Sequence, residues 1–430
     1  MTNNTDLRHA LFNRRMLICI FTGFSSGLPL YILISLVPAW LRSEGVDLKS
    51  IGLFALIQLP FTWKFLWSPF FDRFIPPLGR RRGWMIISQL ALLSVIPVYG
   101  FLQPKVDIWL IAWLSFLVAF LGASQDIALD AYRREILPDQ ELGLGNAIHV
   151  NAYKIAGLVP GALSLVLADN FPWAAVYLIT ALFMIPGIMM SLIVKEPILI
   201  GAPKTLKAAI IEPFAEFRSR GLKPALLILA FIFFYKLGDS MATALATPFY
   251  LDMGFSKTEI GLIAKNAGLW PSVVGGLLGG VWMIRLGINK SLWIFGIIQM
   301  VAILGFAWLA HTLINTGFTD VQFELNLLFW QLPVLKSQLW LGIVIALEAF
   351  GVGLGTAAFV AFIARTTHPL YTATQFALFT SLAAVPRTLA NAATGYMVEW
   401  LGWETFFVVC FFIAIPGMML LIKVAPWQEN

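Results

Sequence analysis

Two aspartates, Asp126 and Asp130, lie toward the end of an apolar segment that begins near Ile108. They are four residues apart, so on a helix both carboxylates lie on one face. A carboxylate inside a membrane helix is energetically costly and usually faces a water-filled interior or a charged partner. Two of them on one face therefore predict a polar pathway through a bundle of helices. A structural alternative stays open, in which Asp130 only fixes the helix end beside Arg133 and Arg134.

A carboxylate in such a bundle can also carry a proton, because its protonation depends on its burial and on the cation that lies near it. Asp126 is the first candidate for proton coupling, since it lies deeper than Asp130 in its segment. Asp130 is the second candidate, and Glu348, in the second half of the chain, is the chief rival.

Other ionisable side chains also fall within apolar segments, and cations outnumber anions among them. The cations are Lys64, Lys154, Lys236, Lys265 and Arg387, and the anions are Asp126, Asp130, Asp239 and Glu348. A central cavity with surplus positive charge suits a substrate that bears carboxylates. Internal pairing is the alternative, for example between Lys236 and Asp239 one turn apart.

Polar aromatic and amide side chains at similar depths are candidates for binding a sugar, whose rings stack on aromatic faces and whose hydroxyls need hydrogen-bond partners. Together with the ionisable residues they form the predicted substrate site. Its members are Tyr31, Gln58, Trp63, Lys64, Gln125, Asn146, Tyr153, Lys154, Tyr235, Lys236, Asp239, Lys265, Asn266, Trp270, Gln375 and Arg387.

The composition identifies the elements that must position these residues. Of the 430 residues, 59% are hydrophobic and only 12% are charged, whereas soluble domains carry roughly 25% charged residues. The chain is therefore predicted to be an all-α polytopic membrane protein. Cys19 and Cys410 both lie in apolar segments, so no disulfide framework is implied, and the four histidines show no metal-ligand spacing.

Twelve apolar runs come close to the roughly 20 residues that a bilayer crossing needs. They are placed at about 16–41, 50–71, 84–102, 108–132, 144–168, 172–194, 225–250, 259–284, 291–313, 339–364, 372–398 and 404–424. Most of the Lys and Arg residues lie in the gaps on the side that holds both termini, which predicts that both termini are cytoplasmic. The net charge of +6 thus reflects the orientation of the chain in the membrane, and no nucleic-acid partner is expected.

The longest basic gap divides the chain into two halves of six helices. The predicted organisation is an N-terminal half at 1–194, a cytoplasmic linker at 195–224 and a C-terminal half at 225–430. Within the linker, Leu206 to Phe217 is predicted to form a short interfacial helix. The halves repeat weakly, since the stretch from Glu44 to Leu53 aligns with the stretch from Met253 to Leu262. A parallel six-helix repeat is typical of the major-facilitator fold.

The loop between the second and third segments runs from Asp72 to Gly83 and combines an acid, a glycine turn and three consecutive arginines. It resembles the loop that major-facilitator transporters carry at this place. The resemblance implies a cytoplasmic gate held by charge pairs, although orientation charge alone is the alternative. The implied gate residues are Asp72, Arg73, Arg80, Arg81, Arg82, Arg133 and Arg134.

Several motifs resemble one branch of that superfamily, the AmpG-type muropeptide permeases of Gram-negative inner membranes. They are Gly23-Phe24-Ser25-Ser26-Gly27-Leu28-Pro29, Trp67-Ser68-Pro69-Phe70-Phe71-Asp72-Arg73, Gly79-Arg80-Arg81-Arg82-Gly83-Trp84 and Ala123-Ser124-Gln125-Asp126-Ile127-Ala128-Leu129-Asp130-Ala131-Tyr132-Arg133. The family imports N-acetylglucosaminyl-1,6-anhydromuropeptides for cell-wall recycling and β-lactamase induction, driven by the proton gradient. The resemblance implies the same substrate, an inner-membrane location and no cofactor besides the proton gradient. A monomer is expected.

Competing functions find less support in the sequence. Gly23-Phe24-Ser25-Ser26-Gly27 matches the hydrolase elbow, but it lies within an apolar helix instead of a strand-to-helix turn, and its Gly-x-x-x-Gly spacing favours helix packing. No phosphate-binding loop of the G-x-x-x-x-G-K-[ST] type is present. The alternatives left open are a transporter of another anionic solute, similar to acetyl-CoA transporters, and a non-transporting sensor or lipid-modifying enzyme.

Overall fold

Helices make up nearly all of the described chain, as expected where backbone groups have no water to bond with inside a bilayer. The computed structural model describes residues 13–46, 57, 59–197, 206–219, 221–255, 259–315, 322–327, 330–368 and 371–427. Within those ranges, nine helical segments are long and apolar enough to cross a membrane. One of them, Asn266–Asn315, is two helices joined at Gly287, whose φ is 74°. The number of twelve crossings stays a prediction.

Contacts divide the chain into two units, and the first comprises Met1–Gly221 and Ile363–Ser381. Its helices are α1 (Arg14–Tyr31), α2 (Val37–Ser43), α3 (Leu59–Trp63), α4 (Ser68–Arg73), α5 (Arg82–Val95), α6 (Ile108–Ile136), α7 (Asp139–Ala156), α8 (Ser164–Ala168), α9 (Trp173–Leu182), α10 (Ile185–Ile193) and α11 (Leu206–Ser219). The helix predicted from Leu206 to Phe217 is therefore confirmed as α11, while its position at the membrane interface stays a prediction. Short π or 3-10 turns at Ile32–Leu36, Lys64–Leu66, Ile96–Phe101 and Val159–Leu163 continue several of these helices.

The second unit comprises Leu222–Phe362 and Leu382–Asn430. Its helices are α12 (Leu222–Phe234), α13 (Leu237–Ala244), α14 (Ala246–Asp252), α15 (Lys265–Asn315), α16 (Lys336–Thr366) and α17 (Thr372–Val424), and a π turn at Ile260–Ala264 precedes α15. The C-terminal end of α16 and the N-terminal end of α17 belong to the first unit. Gly402, with φ of 73°, breaks α17. Strands β1 (Gln322–Leu327) and β2 (Trp330–Leu335) pair antiparallel, with Gln322 opposite Leu335.

Aromatic side chains build the core of each unit. In the first, the rings of Trp40 and Tyr177 have centroids 5.2 Å apart, and those of Tyr99 and Tyr177 are 5.0 Å apart. In the second, the rings of Phe249 and Phe407 are 4.9 Å apart. Cys19 and Cys410 are buried and free, in agreement with the prediction.

The Gly-x-x-x-Gly motif of α1 brings that helix against α7. A Cβ added at Gly23 would overlap the carbonyl oxygen of His149, and one added at Gly27 would overlap that of Tyr153. The motif is thus a packing motif within a helix, as predicted, and the hydrolase elbow is excluded. This close approach places the hydroxyl-bearing face of α1 beside the charged residues of α6 and α7.

Candidate functional site

A lysine shared by two carboxylates is the centre of the charged cluster in the first unit. Lys64 lies just after α3, and its Nζ is 3.3 Å from Asp130 Oδ2 and 3.8 Å from Asp126 Oδ2. Lys64 and Asp126 are each 7% exposed. The helical spacing of the two aspartates therefore does place both carboxylates on one face, and that face is turned toward a buried cation.

Asp130 is the more strongly held of the two carboxylates. Arg133 Nη2 donates to Asp130 Oδ1 at 2.9 Å, and Arg133 Nε donates to Asn146 Oδ1 at 2.8 Å. His149 Nε2 lies 3.9 Å from the same Asp130 oxygen. The proposed anchoring of Asp130 by an arginine is present, but it coexists with the Lys64 contact and so does not remove Asp130 from the cluster.

Asp126 has weaker ionic contacts than Asp130. The Ser26 hydroxyl donates to Asp126 Oδ1, while Lys64 is nearer to Asp130 than to Asp126. Because one lysine serves both acids, a change of charge on Asp126 alters the pairing of Asp130 as well. The ionic states of the two acids are therefore linked through Lys64.

Gln125, predicted to touch substrate, is enclosed between helices. Its Nε2 donates to Ser25 Oγ at 2.7 Å, and Gln89 Nε2 donates to the same hydroxyl at 3.2 Å. Ser191 in turn donates to Gln89 Oε1 at 2.9 Å. Gln125 is fully buried, so in this structure it ties α6 to α1 and α5 and presents no surface to a ligand.

Other predicted sugar contacts of the first unit keep accessible surface. Tyr31 and Tyr153 are partly exposed neighbours whose ring centroids are 5.8 Å apart, and Lys154 is also partly exposed. Trp63, beside Lys64, is 44% exposed. Asn146 is different, because it is buried and its amide oxygen accepts from Arg133.

In the second unit, the internal pairing of Lys236 is confirmed. Lys236 Nζ is 3.0 Å from Asp239 Oδ2 and donates to Gln299 Oε1 at 2.6 Å. Tyr235 is buried, and its hydroxyl donates to the Leu292 carbonyl at 2.9 Å. Glu348 is buried at 6% exposure.

Two further candidates in this unit, Asn266 and Trp270, are exposed. Three predicted residues fall outside what the structure describes, namely Gln58 and the side chains of Lys265 and Arg387.

The predicted gate loop forms a buried ion-pair network around Arg81. Arg81 Nη2 lies 2.7 Å from Asp72 Oδ1 and 2.7 Å from Glu135 Oε1, and Arg80 Nη2 lies 3.1 Å from the same Glu135 oxygen. Burial by itself would lower the pKa of Arg81, but the charges of Glu135 and Asp72 outweigh it and raise the pKa above its usual value. Arg81 is thus a fixed cation that holds Asp72 and Glu135 together.

The remaining gate candidates differ in what they contact. Arg134 Nε donates to the carbonyl of Ala364 at 2.6 Å, so it does reach the segment Ile363–Ser381. Arg82 donates to carbonyls at the end of α10, and Arg73 lies over the ring of Phe74 at 5.5 Å. Arg133, predicted to serve the gate, instead pairs with Asp130 inside the charged cluster.

The partner of Asp72 on the segment Ile363–Ser381 was not foreseen from the sequence. The Thr374 backbone N–H and Oγ1 donate to Asp72 Oδ2 at 3.0 and 2.7 Å. Thr374 lies in the first turn of α17, and an acid that accepts from a first-turn amide stabilises the start of a helix. The repeat of the two halves does not reveal it, because the acid comes from the end of α4, about 300 residues earlier in the chain.

Gln375, a predicted sugar contact, lies in the same segment, Ile363–Ser381, and its side chain bonds to α11. Its Nε2 donates to Pro213 O at 3.1 Å and to Glu216 Oε2 at 2.6 Å, both in α11. The Tyr371 hydroxyl donates to Glu212 Oε2 at 2.7 Å. Burial, followed by the bond to Glu212, raises the Tyr371 pKa to about 12, so this hydroxyl stays protonated at neutral pH. The linker helix therefore contacts the same segment that Asp72 caps.

Comparison with known proteins gives consistent matches. The Major Facilitator Superfamily model matches residues 19–323. An uncharacterized protein of Haemophilus influenzae is 49% identical, over 99% of this chain and 98% of its own length. The anhydromuropeptide permease of Escherichia coli K12 is 39% identical, over 95% of this chain and 79% of its own length. Among solved structures, the human organic anion transporter MFSD10 aligns with a TM-score of 0.69 at 15% identity, over 95% of this chain and 99% of its own.

Proposed function

Because the chain belongs to the Major Facilitator Superfamily, and within it to the AmpG-type permeases, we propose that it imports anhydromuropeptides in symport with protons. The chain is a multi-pass membrane transporter and not an enzyme. The observation that carries the substrate assignment is the 39% identity to an anhydromuropeptide permease over 95% of the chain. The substrate class is N-acetylglucosaminyl-1,6-anhydro-N-acetylmuramic acid with or without its peptide, taken up for peptidoglycan recycling.

The charge balance of the buried cluster supports proton coupling. Lys64 and Arg133 supply two positive charges, and Asp126 and Asp130 supply two negative charges. A proton that binds to Asp126 removes one negative charge and leaves the cluster with one positive charge in excess. That state favours an anionic substrate nearby, and loss of the proton on the other side restores neutrality. Substrate and proton are thereby bound and released together.

The substrate is proposed to contact the partly exposed side chains of the first unit. Tyr31, Tyr153 and Trp63 offer aromatic faces for sugar rings, and Lys154 offers a charge for a peptide carboxylate. In the second unit, the proposed substrate contacts are Lys236, Asp239, Asn266 and Trp270. Gln125, Asn146, Tyr235 and Gln375 are better explained as positioning residues, since the side chain of each makes at least one hydrogen bond within the protein.

Neutralising Lys154 tests the role proposed for substrate charge. Lys154→Gln is expected to weaken binding of a peptide-bearing anhydromuropeptide roughly fivefold, as for one partly solvated ion pair, while the bare disaccharide binds nearly as before. Isothermal titration of the purified protein with both ligands gives the comparison, and Lys105→Gln in an exposed loop is the matched control. Equal weakening for both ligands would point to a structural role or a sugar contact.

The proposed location is the bacterial inner membrane with both termini cytoplasmic. The support is the concentration of Lys and Arg on the side of the termini, which follows the positive-inside rule. We also propose a monomer as the working unit. A reporter fused to the C-terminus should be active on the cytoplasmic side only, and activity outside would contradict the orientation.

The function is tested by transport in proteoliposomes that contain the purified chain. Labelled anhydromuropeptide should accumulate when the exterior is more acidic than the lumen, and a protonophore should reduce accumulation to simple equilibration. An unlabelled peptide-free disaccharide should compete, whereas free N-acetylglucosamine should not. Failure of any anhydromuropeptide to enter, together with uptake of another anionic solute, would select the alternative transporter function.

A further inference from the structure

The start of α1 and the end of α10 form a membrane-facing groove that the proposed transport mechanism does not use. The groove has a volume of about 350 Å³. Ile18 and Met190 form its buried floor, and Leu17, Met189 and Ile193 form walls that are 54%, 56% and 67% exposed. An apolar groove of this kind on the surface of a membrane protein faces hydrocarbon.

The dimensions of the groove suit part of an acyl chain. From Arg14 to Phe21, which both line it, α1 advances about 10 Å at roughly 1.5 Å per residue. One leaflet of the hydrocarbon core is roughly 15 Å thick. The groove therefore accommodates the first two thirds of a chain that enters from the headgroup region.

The charged end of the groove favours a ligand with an anionic group. Arg14 Nη2 donates to Ile193 O at 3.3 Å, and Arg82 Nη2 donates to Leu192 O. Two guanidinium groups therefore lie on consecutive carbonyls at the C-terminal end of α10, where the helix dipole also favours cations. The nearby carboxylate of Glu196 is engaged by the backbone N–H groups of Arg81 and Arg82 at 2.8 and 3.0 Å.

Arg14 differs from its neighbour Arg15 in its pairing. Arg15 Nη1 is 3.0 Å from Glu141 Oε1, whereas Arg14, among the residues that the structure describes, has no carboxylate within ion-pair distance. Arg14 is exposed and keeps most of its five N–H donors available. A phosphate held at this place would find a guanidinium directly above an apolar groove.

We propose that this groove binds an anionic phospholipid, with one acyl chain between α1 and α10 and the phosphate held by Arg14, beside Arg82. Basic pockets between helices on the cytoplasmic side are known to hold anionic headgroups. The placement in the cytoplasmic leaflet rests on the proposed orientation, but the binding itself is independent of transport and of its substrate.

Native mass spectrometry of the full chain in detergent tests the site with two probes of identical acyl chains, phosphatidylglycerol and phosphatidylcholine. Arg14→Gln should lower the affinity of the first bound phosphatidylglycerol about fivefold, the effect expected for one basic residue at an anionic headgroup, and should leave phosphatidylcholine unchanged. Arg15→Gln, which removes the same charge one residue away, should bind like the wild type. Met189→Trp, which fills the groove, should reduce binding of both lipids.

Several results would overturn the proposal. One is wild-type affinity for phosphatidylglycerol in both Arg14→Gln and Met189→Trp, and another is an equal loss in Arg15→Gln. A dimer that disappears in Met189→Trp would assign the groove to a second copy of the chain. If Arg14→Gln does not fold, Met189→Trp decides alone: unchanged lipid binding with an unchanged unfolding temperature refutes the site.

Discussion

Asp126→Asn is expected to abolish accumulation of anhydromuropeptide against its gradient while leaving exchange between the two sides of the membrane measurable. One proton that moves down a pH difference of one unit supplies about 1.4 kcal/mol, which supports a substrate gradient of roughly tenfold. The wild type should approach that limit under such a pH difference. Asp126→Asn should stop at equal concentrations inside and outside, because asparagine cannot take up a proton.

The local contacts explain why exchange should survive. Asparagine keeps the shape of Asp126 and can still accept from Ser26, and Lys64 keeps its nearer partner Asp130 at 3.3 Å. The variant imitates the protonated state of the cluster, in which one positive charge is in excess. The transporter therefore binds anionic substrate but has lost the step that ties substrate movement to the proton.

The measurement compares counterflow with uphill uptake in the same proteoliposomes. Asp107→Asn is the matched control, because Asp107 precedes the same helix and, among the described residues, its carboxylate accepts only from the backbone N–H of Gln103. Asp130→Asn should impair folding or exchange as well, since Asp130 also holds the buried Arg133. Normal accumulation in Asp126→Asn together with its loss in Glu348→Gln would move the coupling site to α16.

The sequence predicted those contacts that follow from periodicity along one helix. The shared face of Asp126 and Asp130 and the pair of Lys236 with Asp239 both come from spacings of three or four residues. The same rule places Arg133 beside Asp130, three residues earlier, as in the structural alternative for Asp130, and the two side chains are 2.9 Å apart.

Contacts between distant segments could not be predicted in this way. Whether Lys64 or Gln125 faces a ligand depends on how α3 and α6 pack, and a single sequence carries no record of that packing. Gln125 is next in sequence to Asp126 of the charged cluster, yet its side chain is enclosed by Ser25 and Gln89. Gln375 similarly bonds to α11, about 160 residues earlier. The composition predicted a helical membrane protein, whereas the contacts of individual polar residues could be read only from the tertiary structure.

Asp72→Ala is expected to open the gate segment Ile363–Ser381 and to slow transport more than it weakens substrate binding. Asp72 is fully buried and connects the buried Arg81 to the first turn of a helix, through Thr374. Removing one partner of a buried ion pair costs about 3–5 kcal/mol. If that energy is lost mainly from the closed gate, the equilibrium between closed and open gate shifts about 100-fold or more.

A cysteine at Ala373 reports the opening directly. Ala373 is 1% exposed and precedes Thr374, so Ala373→Cys should react slowly with a membrane-impermeant maleimide from the cytoplasmic side. The native cysteines, both buried, are replaced by alanine in this background. Asp72→Ala should raise the labelling rate by about the factor expected for the gate equilibrium, because the rate follows the population of the open state.

Arg73→Gln is the matched control, since Arg73 follows Asp72 at the end of α4 but stacks on Phe74 instead of pairing with Arg81. It should leave both labelling and exchange close to the wild type. The labelling rate of Asp72→Asn should lie between those of Asp72→Ala and Arg73→Gln, because the amide oxygen can still accept from Thr374 while the charge opposite Arg81 is gone. Unchanged labelling in Asp72→Ala, or a collapse of substrate affinity with fast exchange, would show that Asp72 supports the binding site and does not hold the gate.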